Sequence, residues 1–94
     1  MPVTYSGFSS VPQIVAKVTS NPASISAASV LAHSLTVDEA RPGMHFIVTA
    51  PDLEANVAVG GAYCSTKGTV VVRLINPTAA PIDPASQTFY VLGL

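Results

Sequence analysis

Short alternations of apolar and polar residues run through this chain. In residues 13–19, Ile14, Ala16 and Val18 fall on one side, with Val15, Lys17 and Thr19 on the other. That two-residue period predicts a strand. In residues 30–37, Leu31, His33, Leu35 and Val37 share one face, and Val30, Ala32, Ser34 and Thr36 form a milder one. Residues 44–49 predict another strand, ended by Ala50-Pro51-Asp52, and residues 87–92 predict a last one. Two β-rich runs, 56–65 and 69–76, are joined by Ser65-Thr66-Lys67-Gly68. A short glycine-bearing link of this kind predicts a hairpin with a bulge or a longer loop. Gly60-Gly61 in mid-strand predicts a bulge, a sharp bend or close approach of another backbone. No stretch of about 11 residues keeps a helical period without a breaker. Leu53-Glu54-Ala55 has room for a single helical turn.

Six or seven strands separated by turn residues predict an all-β chain, folded as one antiparallel β-sandwich or jelly-roll-like barrel. Residues 24–29 fit either a loop or a short edge strand. Residues 1–12 read as an N-terminal arm with Tyr5 and Phe8 as aromatic anchors, and residues 13–94 as the sandwich domain. Residues 76–86 form a long connection that Pro77, Pro81 and Pro84 stiffen. Ile82 at its middle is placed to bridge the sheets or to touch a neighbour.

Charge sharpens this picture. Of the 94 residues, 10% are charged and 49% hydrophobic, where a typical domain is about 25% charged. A chain this small leaves roughly 35–40% of its unfolded surface in water. Four cations and five anions cannot cover such a surface, so part of it is expected to lie against other protein. The run 70–75 points the same way. Val70, Val72 and Leu74 alternate with Val71, Arg73 and Ile75, so both faces are apolar apart from Arg73. A strand of this kind is covered on both sides, and a small sandwich covers only one. Homo-oligomerisation is therefore expected.

The same features argue against other classes. The net charge is −1 and the cations are scattered, so the basic stripe that holds nucleic acid is missing. No apolar run approaches the roughly 20 residues of a membrane span. The start has neither a basic region nor an apolar signal core, so synthesis in a cytosol is expected. Cys64 is the single cysteine, which rules out an intrachain disulfide.

Chemistry-bearing constellations are weak. His33, His45 and Cys64 lie on three different strands without ligand spacing. His33 reads as a core or interface histidine, and burial in an interface would make assembly pH-sensitive. No nucleophile elbow or phosphate loop occurs. The carboxylate pairs Asp38/Glu39 and Asp52/Glu54 fall in loops without a neighbouring histidine. The cluster 38–43 reads as a solvated loop, or as an interface salt-bridge site. No enzyme activity, cofactor or metal is expected.

The segments 51–57, 61–65 and 68–86 carry a resemblance. Gly68-Thr69-Val70-Val71-Val72-Arg73-Leu74-Ile75-Asn76-Pro77-Thr78, followed by Ile82-Asp83-Pro84-Ala85-Ser86, resembles small all-β virion proteins of tailed bacteriophages. These are head-decoration (cement) proteins and related tail-fibre modules. Upstream, Asn21-Pro22-Ala23-Ser24-Ile25 and Arg41-Pro42-Gly43 extend the likeness to residues 14–92. The chain departs from the pattern at Gln87, where glycine is usual, and at Cys64, where an aliphatic residue is usual.

The resemblance implies a capsid decoration protein, made in the host cytoplasm and placed on the virion surface. It would bridge subunits of the major capsid protein, most readily as a trimer. Tyr5, Phe8, Arg73, Pro77, Pro81, Ile82 and Pro84 are the expected contact residues. A tail-fibre or spike module for host attachment is the alternative. A carbohydrate-binding module is disfavoured by 6% aromatics and no tryptophan.

Overall fold

A computed structural model describes residues 14–94 as six strands without a helix. They are β1 (Ile14–Ser20), β2 (Ser29–Thr36), β3 (Phe46–Thr49), β4 (Ala58–Thr66), β5 (Thr69–Asn76) and β6 (Gln87–Gly93). Two three-stranded antiparallel sheets, ordered β1-β6-β3 and β2-β5-β4, pack face to face. The fold is the expected all-β sandwich. Tyr5 and Phe8, with the rest of the proposed arm, lie outside the described residues.

Alternation explains the core. On β5, Val70, Val72, Leu74 and Asn76 are all fully buried. On β6, Phe89 and Val91 are fully buried and face them from the other sheet. Ile14, Leu35, Val48 and Cys64 from the other strands, with Ile25, Val37, Ala40 and Val57 from the connections, complete the buried cluster. The Cys64 thiol donates to the Thr66 carbonyl oxygen at 3.1 Å, so it behaves as a small packed side chain.

The chain changes sheet at every connection except the β4–β5 hairpin. That hairpin turns at Lys67-Gly68, where Gly68 takes a φ of 86° that other residues adopt only under strain. Two register shifts interrupt β4, between Val59 and Ala62 and between Tyr63 and Thr66. The first contains Gly60-Gly61, so the paired glycines mark a bulge. Gly60 sits tight against the partner strand, where an added Cβ would come within 3.3 Å of Arg73 Cβ and O. Residues 50–57 form two turns rather than a helical turn, closed by Leu53 N–H to Ala50 O at 3.1 Å and Val57 N–H to Glu54 O at 3.0 Å.

The proline-rich connection is held by one buried side chain. Asn76 Nδ2 donates to the carbonyl oxygens of Ile25, Ser26 and Ala80 at 3.1, 3.2 and 2.8 Å. Its Oδ1 accepts from Thr78 N–H at 2.9 Å and Thr78 Oγ1 at 2.7 Å. Ile25 and Ile82 form an isolated bridge beside it, with N···O distances of 2.7 and 3.0 Å. Residues 24–28 thus contribute a bridge, and Ser29 opens β2, so this stretch adds no further strand among the described residues.

Candidate functional site

Six large hydrophobic side chains are exposed among the described residues: Val15, Val30, Ile47, Tyr63, Tyr90 and Leu92. All six sit on outward-facing strand positions. Scattered exposed aliphatics are ordinary, whereas contiguous ones mark contact surfaces.

The outer face of β1-β6-β3 is the more apolar. The register sets Leu92 directly between Val15 on β1 and Ile47 on β3. Val15 is 77% exposed and Ile47 54%. Tyr90 lies in the next row between Lys17 and Thr49. Lys17 Nζ stands 5.9 Å from the Tyr90 ring centre, a cation–π distance. This face is therefore a three-strand aliphatic row beside a tyrosine with a cation laid across it.

The outer face of β2-β5-β4 has related chemistry. Ile75 pairs with Val30 and Ala58, and Val71 with Ser34 and Tyr63. Arg73 lies on this face, exposed, with its Cζ 5.1 Å from the Tyr63 ring centre. Val71 and Ile75 are half-buried by these neighbours.

The residues expected to make contact divide accordingly. Arg73, Pro77 and Pro81 are exposed. Ile82 is half-buried and packs on the core, and Pro84 is fully buried, so these two anchor the loop within the domain. Val15, Ile47, Tyr90 and Leu92 were not among the expected contact residues, yet the sheet order sets them together on one exposed face. Their signal was present in the outward parity of the first and last strands, but the row needs the β1–β6–β3 order to exist.

His33 lies on the inner side of β2. Its Nε2 is hydrogen-bonded to Ser20 Oγ at 2.8 Å, and its ring centre is 5.6 Å from that of Phe89. Burial holds its pKa below the ordinary 6.5, because the charged form loses hydration. This is a packed histidine that ties the two sheets at their β1/β2 side.

A surface depression of about 400 Å³ is lined by Ile14, Asp38, Glu39, Arg41, Met44 and Lys67. Its two cations and two anions give no single-sign field for a charged ligand. Among the described residues no three His, Cys, Asp or Glu side chains converge as a metal site. No helix there is long and apolar enough to cross a membrane. Comparison with known proteins returned no matching family model, no matching curated protein and no matching solved structure.

Proposed function

We propose that this chain is a structural virion protein that decorates the outside of a tailed-phage head and braces neighbouring capsid subunits. The observation that carries this reading is the outer face of β1-β6-β3. Its Val15–Leu92–Ile47 row and Tyr90–Lys17 pair form an apolar surface on a chain with few charges to solvate it. The choice of the major capsid protein as partner comes from the likeness to decoration proteins at 68–78 and 82–86.

The dimensions favour a repetitive partner. Three strands about 4.8 Å apart, each at most seven residues of about 3.3 Å, cover roughly 300 Å². A standard interface uses about 800 Å² per partner. One such face gives a weak contact, and an assembly of this chain that engages several equivalent shell sites at once gains occupancy by avidity.

Mixing the purified chain with empty heads of the phage that encodes it tests this reading. The chain is expected to co-migrate with heads at fixed stoichiometry and to raise their melting temperature. A stable oligomer that ignores heads and binds host cells would move the reading to a tail-fibre module. A monomer that ignores both would end it.

A further inference from the structure

We infer that the free edge of β2 pairs antiparallel with β2 of a second copy of this chain, joining two β2-β5-β4 sheets into one six-stranded sheet. The inference concerns self-association and does not rest on what the assembled protein decorates.

The backbone directions come from the ladder. Val37 N–H donates to Gly68 O at 3.0 Å, on the β5 side. Residues along a strand alternate in the direction of their N–H and C=O groups. In the β2–β5 register, Leu35, His33 and Leu31 therefore face Val70, Val72 and Leu74 with their backbone groups. Val30, Ala32, Ser34 and Thr36 direct theirs away from β5. Among the described residues no strand pairs with that side of β2.

Edge strands are normally blunted against such pairing by charge, proline, bulges or short length. The other three edges show these devices. Strand β1 carries Lys17, β3 is four residues long, and β4 has two register shifts. Strand β2 has none of them. It is eight residues long, Ser-Val-Leu-Ala-His-Ser-Leu-Thr, paired with β5 without a break and free of charge at neutral pH.

The sequence of β2 selects a second copy as the occupant. In an antiparallel pair centred on His33, Val30 meets Thr36 of the second copy, and Ala32 meets its Ser34. All four outward backbone positions of each strand are then used, giving about eight hydrogen bonds. No charged residue opposes another. Leu31 and Leu35, on the inner side, face each other across the junction. Pairing of one edge with itself is isologous and closes at two copies, so it yields a dimer rather than the three-fold cluster implied by the resemblance.

The test is the mass of the full chain by sedimentation across concentration, with amide hydrogen exchange on the same samples. The wild type is expected to pass from monomer to dimer, with the Ala32 and Ser34 amides slowing in step. Ala32→Pro removes an outward N–H and leaves the β5 ladder intact, since proline is tolerated on a free edge. It is expected to weaken dimerisation at least about tenfold. A wild type that stays monomeric, a trimer with freely exchanging Ala32 and Ser34 amides, or a folded Ala32→Pro protein that dimerises unchanged would overturn the inference. Should Ala32→Pro fail to fold, the exchange data on the wild type decide by themselves.

Discussion

Asn76 Nδ2 donates to the Ile25 carbonyl oxygen at 3.1 Å, joining the end of β5 to a segment 51 positions earlier. The same amide group also holds Ser26 and Ala80. One fully buried side chain thus fixes the connection after β5 and the crossover between β1 and β2.

Replacing it should be costly. Asn76→Ala removes five hydrogen bonds and leaves the Ser26 carbonyl and the Thr78 N–H without their side-chain partner, while the Ile25 oxygen keeps Ile82 N–H and the Ala80 oxygen keeps Thr78 Oγ1. An orphaned buried group costs about 1–3 kcal/mol. We expect a loss of at least about 2 kcal/mol in chemical denaturation. Asn76→Asp should be worse, because a carboxylate would face three carbonyl oxygens. Equal stability of Asn76→Ala and wild type would mean that the loop is held by its prolines.

The stability of the fold should depend on His33. Its folded pKa lies below the ordinary 6.5, so the unfolded chain binds its proton more readily. The associated stability is fully present above pH 6.5 and is lost as pH falls through the folded value. Urea midpoints measured at low protein concentration should fall from pH 7 toward pH 5. His33→Gln should flatten that dependence. A wild-type midpoint that rises with acid would contradict the assignment.

Two glycines contrast a crowded strand position with an open one. Gly93 lies between Ile14 and Phe46 in the sheet, and an added Cβ would meet Ile14 Cβ at 3.0 Å and Phe46 Cε1 at 3.1 Å. Gly93→Ala should cost about 1–3 kcal/mol through overpacking. At Gly61 nothing lies within 4 Å of an added Cβ, and Gly61→Ala should stay within about 0.5 kcal/mol. Thermal melts of the two variants compare them directly.

Strands β1 and β2 were legible by alternation, and β3, β4, β5 and β6 as short β-rich runs bounded by turn residues. Residues 69–76 match β5 at both ends, and the expected strand 13–19 ends one residue before β1 does, its first residue lying outside the described residues. The β4–β5 hairpin was legible because its turn is local. Partnership was not. Strand β6 sits between β1 and β3, and β2 pairs with β5 across the whole middle of the chain. No local pattern encodes those neighbours. For the same reason the Val15–Leu92–Ile47 row was invisible, although each member had an outward position. Asn76 read as the last residue of a strand before a proline, and nothing nearby in sequence announced Ile25 and Ser26 as its partners.

On the proposed function, the outer face of β1-β6-β3 is the surface that docks on the head. The most direct test is co-sedimentation of wild type and the Val15→Lys/Ile47→Lys double variant with empty phage heads. Both positions are exposed, so the variant should melt within a few degrees of wild type. Wild type is expected to bind saturably and the variant at least about tenfold more weakly, as charge enters an apolar contact. A folded double variant that binds heads as tightly as wild type would contradict it.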